Sequence, residues 1–252
     1  MDTAIRRRHR PLRLRRRDHA PAPAQVGDAV AATREPSFLL AKPEKRVLQA
    51  IARRLPRWVL PDDLTAIGVV ASIGICAAYA LSGGSSLWLW AASALLVLHW
   101  LGDSLDGTLA RVRGIGRPRY GYYLDHLVDA FATAMIGIGL GLSPYMALSI
   151  GAVLVVAYLI LSINVYLESF AFGRFSIGYG YVGPTEIRLI LIALNTVVAL
   201  GAGLDFVIAD LQLTVFDLIG LAIAGTMIVL LLGRAGRNLR ELARKEPAAP
   251  RR

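Results

Sequence analysis

The chain has 252 residues, 55% of them hydrophobic, with a mean hydropathy of +0.52. Several apolar stretches run on for about 20 residues, the span of a bilayer core, which excludes an ordinary soluble domain and places the chain among helical membrane proteins. The net charge of +10 is carried by residues 1–60, which hold 15 Lys/Arg against 5 Asp/Glu, so the basic character belongs to an N-terminal arm and the membrane body is neutral overall.

Residues 1–42 form that arm. Arg6, Arg7, Arg8, Arg10, Arg13, Arg15, Arg16 and Arg17 crowd its start. Self-repulsion and low hydrophobicity predict a disordered cytoplasmic segment that sets topology and can adhere to anionic membrane lipids, at about 1 kcal/mol per basic residue near the surface. No aromatic or fold signal accompanies the charge, so nucleic acid is not an expected partner. Residues 43–58 read as an N-terminal amphipathic helix lying in the interface. Val47, Leu48, Ile51 and Leu55 share a face, Lys45, Arg46, Arg53 and Arg54 flank it, and Trp58 follows. The first apolar run begins past residue 60, too late for a cleavable signal peptide. Its single cysteine, Cys76, allows no internal disulfide.

Six transmembrane helices are predicted, near Leu64–Leu81, Leu87–Arg111, Tyr122–Leu142, Tyr145–Phe170, Thr185–Ala202 and Leu213–Leu232. The expected fold is thus an all-α polytopic membrane protein with its membrane domain over 43–240 and a basic cytoplasmic tail over 241–252. The connections near 82–86, 143–144 and 203–212 contain no Lys or Arg. The opposite side carries the arm, then Arg111, Arg113, Arg117 and Arg119, then Arg174, then Arg234, Arg237, Arg240, Arg244 and Lys245. The positive-inside rule therefore puts both termini on the cytoplasmic side of the inner membrane.

The second and third spans meet at that side with polar ends. Asp103 and Asp106 lie three apart on one helix face, and Asp125 and Asp129 lie four apart on the next. Antiparallel packing across the turn Arg113–Tyr120 would bring the pairs together. Ionisable groups at membrane depth are costly and mark function, and divalent cations with oxygen ligands relieve the repulsion of gathered carboxylates. Magnesium or manganese suits such a site, since both accept carboxylate and phosphate oxygens. Pairing with Arg111, Arg113, Arg117 and Arg119 would account for any two of these aspartates but not for four at this spacing. Gly107 and Ala110 share the face of Asp103 and Asp106, and Gly121 lies one turn before Asp125. Small side chains there let a ligand approach the backbone or let helices pack closely. Arg111 at the rim offers a guanidinium for phosphate oxygens.

The run from Asp103-Ser-Leu-Asp106-Gly107-Thr-Leu-Ala110-Arg111, through nine residues, to Gly121-Tyr-Tyr-Leu-Asp125-His-Leu-Val-Asp129 resembles the motif of the CDP-alcohol phosphotransferase family, also called the CDP-alcohol phosphatidyltransferase family. Its pattern is D-x-x-D-G-x-x-A-R, a spacer, then G-x-x-x-D-x-x-x-D, and every fixed position matches. The resemblance implies a metal-dependent transferase. It would move a phosphoalcohol group from a CDP-linked donor to an alcohol acceptor with release of CMP, in phospholipid biosynthesis. It implies two divalent ions (Mg2+ or Mn2+), with Asp103, Asp106, Asp125 and Asp129 as ligands and Asp129 as ligand or general base. Gly107, Ala110, Arg111 and Gly121 would line the nucleotide site. Pro61-Asp62-Asp63-Leu64-Thr65 resembles the family's P-N-x-x-T element, which adds Thr65 and Asp62 to that site, with Asp62 standing where Asn is usual. Family members resemble homodimers.

Substrate cues diverge. His126 directly after Asp125, and Thr185-Glu186 at the fifth span, resemble the choline/ethanolamine phosphotransferases, making His126 and Glu186 alternative bases and a CDP-aminoalcohol the alternative donor. Arg174 and Arg188 are placed to bind the phosphate of an anionic acceptor, with CDP-diacylglycerol as donor. A non-catalytic membrane scaffold is the alternative of another class.

Overall fold

The computed structural model describes residues 40–172, 183–203, 205–208 and 211–247. The arm over 1–39, Arg174 and the last residues of the tail lie outside the described residues.

Helix α1 spans Ala41–Arg54 and α2 spans Pro61–Leu81. Then come α3 (Leu87–Arg113), α4 (Pro118–Leu142), α5 (Leu148–Phe172) and α6 (Pro184–Ala199). A two-stranded hairpin, β1 (Asp205–Ile208) with β2 (Leu211–Thr214), leads into α7 (Val215–Lys245). Each predicted span thus meets one helix. Four of them, α2, α4, α5 and α7, are long and apolar enough to cross a membrane. The other two fall short for visible reasons. Helix α3 carries His99, Asp103 and Asp106 within its length, and α6 has only 16 residues. Exposed apolar side chains such as Val70, Ile73, Val153, Val156, Ile160, Val229 and Leu232 cover the outer faces, as a hydrocarbon environment requires.

The expected connection near 203–212 contains two short strands, β1 and β2. Asp205 pairs with Thr214, Phe206 with Leu213, Val207 with Gln212 and Ile208 with Leu211, antiparallel. The sixth span accordingly begins at Val215 and not at Leu213, because Leu213 and Thr214 belong to the ladder and Thr214 caps the helix. The Asp217 N–H donates to Thr214 Oγ1 (3.1 Å), while the Asp217 carboxylate accepts from Thr214 N–H (2.9 Å) and Ala147 N–H (2.8 Å). Helix α7 then runs past the predicted end at Leu232 to Lys245, its last turns being basic and polar.

Helix starts follow local chemistry. Pro61, Pro118 and Pro184 each open a helix, where a missing N–H costs nothing and the fixed φ suits the first turn. Helix α3 ends at Gly114, whose φ of +68° closes the left-handed cap; Gly114 N–H donates to Arg111 O and Ile115 N–H to Ala110 O. That cap reverses the chain between the two aspartate pairs.

Helix α2 is central and packs on both α3 and α4; α5 joins α4 to α7, and α6 leans on α3. The α2–α3 contact is close because a Cβ on Gly102 would stand 2.6 Å from Leu64 O and 2.8 Å from Gly68 N. One core cluster, with Ile75, Tyr79, Leu89, Leu96, Leu140 and Phe216, fills the end of the bundle away from the aspartates. A second, with Leu48, Ala52, Val59, Leu64, Leu105 and Leu109, seats α1 against α2 and α3. Leu48 is the buried member of the face foreseen for α1, whereas Val47 points outward.

Candidate functional site: a carboxylate cluster between two helix ends

The C-terminal half of α3 supplies Asp103 and Asp106, and the N-terminal half of α4 supplies Asp125 and Asp129. Three of the four converge: Asp103, Asp125 and Asp129 each present an oxygen within 4.8 Å of the others. Asp106 is tied differently. Its carboxylate accepts from Thr65 Oγ1 at 2.6 Å and from its neighbour Gly107 N–H. Thr65 was expected at the nucleotide site, and the structure binds it to the aspartate motif itself.

Arg188 enters the cluster from α6. Its Nη2 donates to Asp103 Oδ2 at 2.7 Å, and both side chains are mostly buried. The residue foreseen for an acceptor phosphate therefore already touches a foreseen metal ligand. Three carboxylates with one arginine leave net negative charge, and clustered carboxylate oxygens suit a hard divalent cation. The donor set fits magnesium or manganese, with Asp103, Asp125 and Asp129 as the convergent ligands and Asp106 beside them.

Of the alternative bases, Glu186 is engaged elsewhere and His126 lies at the edge of this convergence, beside Asp125. Glu186 caps its own helix, with Oε2 accepting from Gly183 N–H at 2.9 Å and Oε1 from Leu40 N–H at 3.0 Å. The His126 ring lies against Tyr122 and Tyr166, and its Nδ1 is 2.8 Å from Tyr122 O and 3.5 Å from Asp125 Oδ2. A nitrogen that close to a carbonyl is the protonated one, so Nδ1–H serves the backbone.

At the rim, Arg111 Nη2 donates to Thr108 Oγ1 (3.0 Å), and its guanidinium lies over Gly107. Ala110 is half-buried on the same helix. A Cβ on Gly121 would meet nothing within 4 Å among the described residues, which leaves space beside Asp125. Asp62 accepts from Arg117 Nη2 with both oxygens at 2.6 Å and from Tyr120 Oη at 3.4 Å. The Arg117 guanidinium also stacks 3.8 Å over the Tyr120 ring. Hydrogen bonding to Asp62 raises the Arg117 pKa, so that group is charged at every working pH. Arg174 lies outside the described residues.

Four features had escaped the sequence reading. Glu44, on α1, accepts through Oε1 from Trp100 Nε1 (2.8 Å), Thr185 Oγ1 (3.0 Å) and Ser104 Oγ (3.4 Å). It is the one acidic residue of an otherwise basic helix, and that oddity was the available signal. Buried Asn195 bonds Tyr79 and Ser93, joining α6 to α2 and α3. Arg234 on α7 grips Glu168 on α5 at 2.7 Å. His99, one turn before Asp103, is 2% exposed, and neither ring nitrogen has a hydrogen-bond partner among the described residues.

The sequence model of CDP-alcohol phosphatidyltransferase matches residues 58–216. A curated relative, the phosphatidylinositol phosphate synthase of Cutibacterium acnes, is 36% identical over 98 residues, which cover 38% of this chain and 45% of that protein. The chain thus aligns with less than half the length of the curated relative it matches. Among solved structures, the Mycobacterium tuberculosis phosphatidylinositol phosphate synthase with CDP-DAG bound superposes with a TM-score of 0.50 at 22% identity. The superposition covers 78% of this chain and 92% of that one and supports a shared fold.

Proposed function

The chain belongs to the CDP-alcohol phosphatidyltransferase family, and from that premise we propose that it transfers a phosphatidyl group from CDP-diacylglycerol to a phosphorylated polyol, inositol phosphate first among them, releasing CMP. The single observation that carries this reading is the convergence of Asp103, Asp125 and Asp129 within 4.8 Å, where the α3 and α4 ends meet. The name of the Cutibacterium acnes relative and the donor bound to the Mycobacterium tuberculosis protein support the substrate choice.

In the proposed mechanism the acceptor hydroxyl attacks the phosphorus esterified to diacylglycerol, the bond from that phosphorus to the bridging oxygen breaks, and CMP leaves. Asp129 takes the hydroxyl proton as general base. Asp103, Asp106, Asp125 and Asp129 would hold two divalent ions, which when bound withdraw charge from the diphosphate and stabilise departing CMP. Arg188, with Arg174, receives the acceptor phosphate, since a guanidinium matches phosphate oxygens in a fork. Gly107, Ala110, Arg111 and Gly121 leave backbone and open space for the nucleotide, with Thr65 and Asp62 closing it from α2. Thr185 and Glu186, two of the residues that suggested a choline/ethanolamine-type reaction, are engaged with Glu44, Leu40 and Gly183, which favours the CDP-diacylglycerol reading over that alternative.

In the same proposal all six spanning helices cross the cytoplasmic membrane, α1 lies along its inner surface, and both termini and the site face the cytoplasm. The arm 1–42 contacts anionic lipid, the membrane domain covers 43–240, and two copies form a homodimer. The test is CMP release by purified protein in lipid vesicles. It is supplied with Mn2+ and, in turn, CDP-diacylglycerol, CDP-choline or CDP-ethanolamine against a panel of acceptors. Release that needs Mn2+, CDP-diacylglycerol and a phosphorylated polyol supports the reading. CMP release only from CDP-choline or CDP-ethanolamine, or none at all, overturns it.

A further inference from the structure

Helix α6 is unusual in how it is held. Its C-terminal half packs Leu191, Ile192, Leu194, Val198 and Ala199 against the main apolar core, whereas its first turn lacks such packing among the described residues and is held by polar clasps. At its middle, Asn195 bonds Tyr79 and Ser93. At its start, two hydrogen bonds cross to the start of α1: Thr185 Oγ1 donates to Glu44 Oε1 (3.0 Å), and Leu40 N–H donates to Glu186 Oε1 (3.0 Å). Glu44 Oε1 also receives Trp100 Nε1 and Ser104 Oγ, which flank Asp103 on α3. Thr185 stands one turn before Arg188, and Arg188 meets Asp103. One carboxylate oxygen thus gathers donors from the two helices whose mutual position brings Arg188 to the aspartates.

We propose that Glu44 is a positioning residue of the reaction centre. From the amphipathic helix it locks the first turn of α6 to α3, and so aims Arg188 at the acceptor site. The proposal rests on the reading of Arg188 as acceptor-binding given above. All three bonds use one acceptor oxygen, so the role needs an oxygen at the reach of a Glu side chain and does not need the negative charge. Glutamine keeps that oxygen, whereas aspartate is one methylene too short.

The experiment measures CMP release by the full-length protein in vesicles with CDP-diacylglycerol, inositol phosphate and Mn2+. Glu44→Ala is expected to raise the KM for inositol phosphate about tenfold, as expected for lost hydrogen bonds to a charged group, with the donor KM within about twofold of wild type. Glu44→Gln restores the acceptor KM and Glu44→Asp does not. In an Arg188→Ala background the Glu44→Ala change adds nothing further, because its effect runs through Arg188. An unchanged acceptor KM in Glu44→Ala, an equal rise in both KM values, or an undiminished effect in the Arg188→Ala background overturns the proposal. A double-mutant cycle on the thermal unfolding midpoint, with Glu44→Ala, Arg188→Ala and both, reads the same coupling without turnover. If wild type releases no CMP, the functional reading falls and this cycle decides alone: non-additive shifts support the positioning role, and additive ones overturn it.

Discussion

Gly102→Ala is the sharpest test of how the site is built. The added Cβ would stand 2.6 Å from Leu64 O, 2.8 Å from Gly68 N and 3.0 Å from Gly68 Cα, all backbone atoms of α2. Backbone cannot swing aside as a side chain does, so α3 must retreat from α2 by roughly 0.8 Å to reach ordinary contact. Gly102 precedes Asp103 directly, and the retreat stretches the 2.6 Å bond from Thr65 to Asp106. Overpacking of this kind costs about 1–3 kcal/mol of stability. A displacement near 1 Å at a reacting centre costs on the order of a hundredfold in rate. Gly102→Ala should therefore lower the unfolding midpoint modestly but cut CMP release about a hundredfold. Gly121→Ala is the matched control, since its Cβ meets no atom of the described residues within 4 Å. It should not lower the unfolding midpoint, since alanine is the better helix former, and it should raise only the donor KM, because the ligand alone feels the new methyl. The assays are CMP release in vesicles and unfolding followed by circular dichroism. A fully active Gly102→Ala protein with an unchanged midpoint would refute the close α2–α3 approach and the geometry argued from it.

Three further outcomes follow from the same contacts. Asp129→Asn should abolish turnover while CDP-diacylglycerol still binds with Mn2+ by calorimetry; full activity would remove Asp129 as the base. Arg188→Met removes a cation that occupies Asp103 Oδ2 at 2.7 Å. Mn2+ binding, read by electron paramagnetic resonance, should therefore tighten, by about tenfold for one charge-assisted hydrogen bond, while turnover with inositol phosphate falls. Arg234→Met removes the partner of the mostly buried Glu168 carboxylate and should destabilise the protein in denaturant unfolding, by up to about 3 kcal/mol, most of it recovered in the double variant with Glu168→Gln.

The sequence disclosed what its own periodicities encode. Runs of apolar residues matched the helices to within a few residues except at the polar, basic end of α7, and aspartates three and four apart had to share helix faces whatever the tertiary fold. Pairings across long separations were not encoded in that way. Arg188 reaches Asp103 from 85 positions away, and a lone arginine near a helix start reads equally well as a topology charge. Glu186 was legible locally: Gly183-Pro-Thr-Glu186 is a helix-start pattern with an acid at the third position, and the structure uses it as a cap, whereas the role of base rests on the family resemblance alone. The hairpin over 205–214 was missed because its strands are short and sit beside a long apolar helix that dominates any hydropathy window.

Asp62 marks a departure from the family pattern, and the structure supplies its reason. Asparagine there would offer one carbonyl oxygen and an amide that repels a guanidinium. Aspartate accepts Arg117 with both oxygens at 2.6 Å, and Arg117 in turn stacks on Tyr120. This links the first turn of α2 to the turn that joins α3 to α4. Thr65, one turn later on α2, binds Asp106 on α3. Two contacts from one short element therefore brace both halves of the aspartate motif, and the glycine-mediated approach at Gly102 is what brings α2 near enough for either. The Pro61–Thr65 element and the aspartates, 38 or more positions apart in the sequence, are thus joined through the Thr65–Asp106 bond, with the exposed Asp62–Arg117 pair adding a weaker link. Charge at position 62 is not a lapse from the motif but the counterpart of an arginine that the same chain supplies at 117.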